Sequence, residues 1–159
     1  MNQEIPKGFL ELKIPPVLLG FIVALLMWLA AREVPSMGFN FAGRFWVSAG
    51  LVILGAVISI SGVISFRRAK TTVNPTTPGS ASSLVVSGIY KYTRNPMYLG
   101  FLLSLLAWAA YLENALTFAM IPGFVIYLTL FQIRPEERAL AGLFGPEFSA
   151  YKSRVRRWI

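Results

Sequence analysis

The 159-residue chain contains no cysteine and no histidine. Without cysteine there is no disulfide, no thiolate nucleophile and no thiolate-held metal. Without histidine there is no imidazole general base and no imidazole metal ligand. Glycine patterns that cradle nucleotides are missing too. No G-x-G occurs, so a Rossmann site has no support, and there is no P-loop. Four apolar runs, Pro16–Ala31, Phe45–Phe66, Met97–Leu112 and Ala115–Ile133, lack any charged residue. A proton-coupled transporter usually needs an ionisable group within the membrane. Its absence weakens the small-transporter reading that the size and four spans would otherwise invite.

What the chain does have is apolar surface. Apolar types make up 55% of it, against roughly 45–50% in soluble domains, and mean hydropathy is +0.60. A membrane helix needs about 20 apolar residues, with roughly 17–25 the usual range. The second and fourth runs meet that length, and the first and third need their flanks. No barrel-like alternation is present, so backbone groups in lipid must be satisfied within helices. The expected fold is an all-α integral membrane protein. Its transmembrane helices, about four, fall near 15–31, 45–66, 96–112 and 114–133, followed by a C-terminal cytoplasmic amphipathic helical segment, all in one domain, 1–159.

The formal net charge is +8. Its distribution argues for a membrane and against nucleic acid. Lys7 and Lys13 precede the first span. Arg67, Arg68, Lys70, Lys91 and Arg94 lie between the second and third. Arg134, Arg138, Lys152, Arg154, Arg156 and Arg157 follow the fourth. Four spans place these groups on one side and leave Arg32 and Arg44 on the other. The positive-inside rule then puts both termini in the cytoplasm. Glu4 and Glu11 dilute the N-terminal charge, so no clear signal peptide is expected.

Gly55, Ser59 and Gly62 in the second span have the small-residue spacing of close helix packing. Residues 71–88, rich in Thr, Ser, Pro and Gly, read as a loop, either a flexible linker or an ordered loop over a ligand. Pro122-Gly123 in the fourth span marks a possible kink. Pro135, Glu136 and Glu137 have the composition of a helix first turn. A further helix is expected from about Pro146, with Phe148, Tyr151, Val155 and Trp158 on one face, lying on an anionic membrane surface.

Only a short loop around Glu113-Asn114 separates the third and fourth runs, so they form a hairpin. The start of one and the end of the other must be neighbours. Tyr90, Arg94, Asn95 and Tyr98 therefore meet Gln132, Arg134, Glu136 and Glu137 at one membrane edge. On physical grounds alone these residues serve equally as interfacial anchors and a helix start.

The stretch SGIYKYTRNPMYLG, followed after one hairpin by RPEERALAGLFGPEFSAYKSRVRRWI, resembles the membrane methyltransferases, which include isoprenylcysteine carboxyl methyltransferases and phospholipid N-methyltransferases. The matching elements are Gly88-Ile89-Tyr90, Arg94-Asn95-Pro96, Tyr98, Gly100, Glu136-Glu137, Phe144-Gly145, Glu147-Phe148, Tyr151 and Arg154-Val155, over about residues 82–157. The resemblance implies S-adenosylmethionine bound without a Rossmann fold, on the cytoplasmic side. It implies a cofactor pocket lined by Ser82, Ser83, Leu84, Val85, Tyr90, Asn95, Pro96, Met97, Tyr98 and Glu136. Glu136, Glu137 and Arg134 are the candidate catalytic residues, and Gln132 and Arg134 the candidates for holding the acceptor. No metal is expected.

A carboxylate can pair the cofactor's ammonium or accept from a ribose hydroxyl, and tyrosine faces can stabilise adenine or the sulfonium. Asn95 offers a donor and an acceptor. Two positions depart from the family pattern. Asn95 stands where histidine is common. Gln132 stands where isoprenylcysteine methyltransferases place a substrate-binding arginine, while Arg134 lies two residues before Glu136. The expected function is methyl transfer to a lipophilic acceptor entering from the bilayer: a phospholipid amine, a thiol or an isoprenylcysteine-like carboxylate. The competing class is a non-enzymatic small membrane protein, a transporter or an assembly factor.

Overall fold

A computed structural model describes residues 11–71 and 82–159. The first part of the N-terminal lead-in, with Lys7, and most of the 71–88 loop lie outside the described residues. Those described form five helices and no β-strand. Helix α1 spans Pro16–Glu33, α2 Arg44–Arg68, α3 Pro96–Leu112, α4 Ala115–Leu128 and α5 Arg134–Arg154. A π turn, Thr129–Ile133, joins α4 to α5 without a break. By length and composition α1, α2 and the α4–α5 stretch can each cross a membrane, and α3 is shorter. At about 1.5 Å per residue α3 is roughly 25 Å long, slightly less than a hydrocarbon core of about 30 Å.

Prolines set two of the helix starts. Pro16 and Pro96 occupy the first turn of α1 and α3, where a missing N–H leaves nothing unpaired. At the turn of the α3–α4 hairpin, Glu113 takes a left-handed conformation, φ +51°. Asn114 then caps α4, its Oδ1 accepting from the Leu116 N–H at 3.0 Å. Glu113 also ties this end of the molecule together. Its carboxylate accepts from the Phe41 N–H and from Arg44, both at 2.8 Å.

Close packing of α2 on α3 follows the small-residue pattern. A Cβ on Gly100 would fall 1.9 Å from Ser59 Oγ and 2.6 Å from the Gly55 carbonyl oxygen. On Gly62 it would meet Pro96 at 3.0 Å. Ser48 adds a hydrogen bond to the Ala107 carbonyl at 2.9 Å. A second seam joins α1, α3 and α4 through Leu19, Met27, Leu105, Ala109, Phe124 and Leu128. Trp108 Nε1 donates to the Ala24 carbonyl across it at 3.0 Å. Outward positions such as Phe21, Trp46 and Ile53 are exposed, as lipid-facing side chains are.

The π turn lies just before Pro135. That proline has no N–H to offer the Phe131 carbonyl four residues earlier. The Leu12 N–H reaches this oxygen instead, at 2.9 Å, and Glu11 pairs with Arg138. Residues 11 and 12 are thus fastened to the α4–α5 junction.

The C-terminal segment differs from expectation in one respect. The chain does bend before Pro146, at Gly145, with φ 45° and ψ −117°. The apolar stripe beyond it, however, is turned onto the protein. Phe148 and Tyr151 are buried against Val85 and Tyr90, and Trp158 packs against the main core. An apolar helix face takes whichever apolar surface is nearest. Here that surface is the segment leading into α3, which takes the place expected of the lipid headgroups.

Candidate functional site

The end of the α4 span and the start of α3 meet as the hairpin requires. Tyr98, on the first turn of α3, donates its hydroxyl to Glu136 Oε1. Gln132, on the π turn and 2% exposed, donates to the same oxygen at 2.6 Å. Tyr90 approaches from the 3-10 turn Gly88–Lys91, and the Glu136 charge bears on its hydroxyl. No described residue donates to Glu136 Oε2. Half-buried Glu136 therefore has one braced oxygen and one with no donor among the described residues.

Glu137 faces a different way. Its Oε1 accepts from Arg94 Nη2 at 2.8 Å and Arg157 Nε at 3.0 Å, and its Oε2 from Arg157 Nη2 at 2.7 Å. Arg94 also donates through Nη1 to the carbonyls of Lys152 and Val155, both at 3.0 Å. Asn95 Nδ2 donates to the Arg157 carbonyl at 2.9 Å, and the Arg94 N–H to that of Arg156 at 3.1 Å. The R-N-P motif therefore fastens the C-terminal residues 152–157 across the start of α3. This job for Arg94 and Asn95 was not visible in the sequence, because it depends on the bend at Gly145 bringing Arg157 back.

The adjacent glutamates respond oppositely to their surroundings. Burial pushes the Glu136 carboxyl up to about 7, although the bonds from Tyr98 and Gln132 oppose it. Burial would also raise Glu137, but the Arg157 hydrogen bond and the charges of Arg94 and Arg157 outweigh it and hold that carboxyl below its ordinary value. Burial raises the Tyr90 hydroxyl, with Tyr151 and Glu136 adding to the shift, so it stays neutral. Between about 4.5 and 7 the folded protein keeps on Glu136 a proton that the unfolded chain has lost, so this group's stability contribution falls as pH rises. The Glu137 contribution is present at neutral pH and disappears as pH drops through its depressed folded value.

The remaining candidates divide. Thr71 Oγ1 accepts from the Ser82 N–H at 3.0 Å, and Ser83 Oγ donates to the Ala69 carbonyl at 3.2 Å. Both close the open end of α2. Leu84 and Val85 pack with Tyr90, Phe148 and Tyr151. Pro96 and Met97 lie against α2 at Gly62. The Arg134 side chain is exposed and bonds to no described residue. Its two-residue offset turns it about 200° from Glu136 around the helix. A lipid-facing cavity of about 430 Å³ between Phe45, Val52, Trp108 and Tyr111 lies toward the other end of α3 and does not join this cluster.

Gly88 positions Tyr90. Its φ is +63°, and a Cβ there would lie 2.7 Å from Ser65 Oγ. Gly88→Ala is expected to cost about 1–2 kcal/mol from backbone strain alone, with further loss from the clash. Thermal unfolding in detergent measures it.

A profile of the phospholipid methyltransferase family matches residues 43–147, running from the start of α2 past Glu136 and Glu137. The chain belongs to this family. Among relatives, an uncharacterized protein of Haemophilus influenzae is 44% identical over 63 residues, 40% of this chain and all of that protein. Methanethiol S-methyltransferase 1 of Bradyrhizobium diazoefficiens is 42% identical over 69 residues, 42% of this chain and 22% of that enzyme. Protein-S-isoprenylcysteine O-methyltransferase of Schizosaccharomyces pombe is 27% identical over 145 residues, 91% of this chain and 53% of that enzyme. The chain thus spans about half or less of the two named methyltransferases. No solved structure matches it.

Family membership implies a methyl donor. The cluster sets a carboxylate oxygen with no donor among the described residues beside the side chains of Tyr98 and Tyr90. Among the described residues no acidic cluster is arranged to hold a metal.

Proposed function

We propose that this protein transfers the methyl group of S-adenosylmethionine to a lipophilic acceptor delivered from the bilayer. The observation that carries the reading is Glu136, braced by Tyr98 and Gln132 at the edge of the α3–α4 hairpin, its second oxygen without a donor among the described residues. When bound, S-adenosylmethionine supplies a methyl carbon activated by its sulfonium. Tyr90 and Tyr98 would hold its cationic or aromatic parts, and Glu136 its ammonium or ribose. Ser82–Val85 and Asn95–Met97 would wall the pocket. The Arg94–Glu137–Arg157 clip keeps α3 and α5 together, so the aromatic and acidic groups stay aligned. Such alignment supplies most of what in-line transfer requires.

The basic residues Arg67, Arg68, Lys70, Lys91, Arg138 and Lys152 share the end of the bundle where this cluster lies. On the positive-inside rule that end faces the cytoplasm, where the cofactor is available. Purified protein given methyl-labelled S-adenosylmethionine and a membrane lipid extract is expected to yield a labelled, organic-soluble product. If label stays in the aqueous phase at every protein concentration, a lipophilic acceptor is ruled out. The acceptor would reach the cluster where α3 and α4 leave the hydrocarbon.

A further inference from the structure

The fastening of residues 11 and 12 bears on how Glu136 is aimed, and what it means for function rests on the methyltransferase reading. The packed face of α4 runs through Thr117, Ile121, Phe124 and Leu128, in steps of three or four residues. The next buried apolar position is Ile133, five residues on. The π turn supplies that longer step. Eight residues of unbroken α-helix turn the chain through about 800°, which would set Glu136 about 80° around from core-facing Leu128. The π turn takes up one extra residue, about 100° of that rotation, and leaves an offset of about 20°. Glu136 therefore continues the packed face of α4 and meets the Tyr98 hydroxyl. Its aim depends on the shape of the turn.

What holds that shape comes from outside the helix. Pro135 leaves the Phe131 carbonyl without its in-helix donor, and the Leu12 N–H fills the gap at 2.9 Å. Leu12 does so with φ at +57°, a left-handed backbone that leucine keeps only where its surroundings impose it. On the other side of the turn, Glu11 pairs with Arg138 in the first turns of α5. That pair is 16% and 38% exposed, so it guides residues 11 and 12 into place more than it adds stability. One contact thus falls within the π turn and one beyond it. Gln132, the second brace of Glu136 at 2.6 Å, directly follows Phe131.

We propose that residues 11 and 12 are a positioning latch: by filling the Phe131 carbonyl and gripping Arg138 they fix the π turn, which aims Gln132 and Glu136 at Tyr98. They act through the turn and not by touching a ligand. The lead-in to the first span thereby sets the geometry of a cluster more than 80 residues further along the chain.

A double-mutant cycle tests this without any ligand. In the unaltered full chain in detergent, Tyr98→Phe removes a donor from Glu136 and should lower the unfolding temperature. Leu12→Pro removes the latch N–H, and Glu11→Arg sets like charge against Arg138. In either background Tyr98→Phe should have at most about half its original effect, because members of one network are not additive. Adding Arg138→Glu to Glu11→Arg reverses the pair and should restore the full effect. This charge-reversal arm decides the matter even if Leu12→Pro does not fold. Equal loss from Tyr98→Phe in every background overturns the latch, and so does no loss in the unaltered chain. Titration calorimetry reads the functional consequence. Below the unfolding temperature of Glu11→Arg, its affinity for S-adenosylmethionine should fall, and charge reversal should recover it. A cluster aligned about a tenth of the time binds about tenfold more weakly. Unchanged affinity in Glu11→Arg overturns the claim that the latch serves the site. If the unaltered chain binds no S-adenosylmethionine, the methyltransferase reading fails, while the cycle still judges the latch.

Discussion

Arg94→Ala is expected to unfold the end of the bundle that carries Glu136 and Glu137 or leave it barely stable. The Arg94 side chain is 9% exposed and its partner Glu137 11%. Removing one member of such a pair leaves a buried charge partly uncompensated, which typically costs about 3–5 kcal/mol. The carbonyls of Lys152 and Val155 lose their donor at the same time. Lysine is not an adequate replacement, since one ammonium cannot reproduce the planar fork that reaches Glu137 and two carbonyls together. Thermal unfolding in detergent gives the loss directly. A cycle with Glu137→Gln isolates the pair: coupling above about 1 kcal/mol is expected for groups in one network. Additive losses would show that the ion pair contributes nothing beyond its separate contacts.

Gly100→Ala is expected to force α3 away from α2. The new Cβ would meet Ser59 Oγ at 1.9 Å and the Gly55 carbonyl oxygen at 2.6 Å. The second contact is with backbone, so rotating a side chain cannot relieve it. Overpacking of this kind usually costs about 1–3 kcal/mol. Because Tyr98 lies two residues away on the same turn of α3, the displacement should also weaken its bond to Glu136. Activity should then fall by more than the change in folded fraction explains. Adding Ser59→Gly removes the first clash and leaves the second, so partial recovery is expected. Full activity in Gly100→Ala alone would mean that the α2–α3 crossing does not set the geometry of the Glu136 cluster.

These predictions draw on features that were unequally legible in the sequence. The spans were readable because uncharged apolar runs of near-bilayer length have few other interpretations. The expected boundaries of the first three spans fall within two residues of the observed helices, whereas the fourth, expected to end at 133, runs on through the π turn into α5. The meeting of Tyr98 with Glu136 followed from the hairpin alone. Gly55, Ser59 and Gly62 were readable as a packing face, though not that Gly100 would be their tightest partner.

The different states of Glu136 and Glu137 were not readable. Adjacent carboxylates look alike until Arg157, twenty residues on, is folded back onto one of them. The C-terminal stripe was misleading for a similar reason. Periodicity shows that a helix has an apolar face but does not say what covers it. The π turn left no pattern either. Pro135 hints that the Phe131 carbonyl needs another donor, and only the structure identifies it as the Leu12 N–H. The family resemblance supplied the candidate pocket wall, while the geometry shows that Arg94, Asn95, Ser82 and Ser83 also hold the backbone in place.

The central claim is that the Glu136–Tyr98 edge of this membrane protein binds S-adenosylmethionine, and titration calorimetry on the purified full chain tests it most directly. Saturable binding is expected, accompanied by a raised unfolding temperature and clearly weakened by Tyr98→Ala and Glu136→Ala together. No heat and no thermal shift at saturating S-adenosylmethionine would contradict the account.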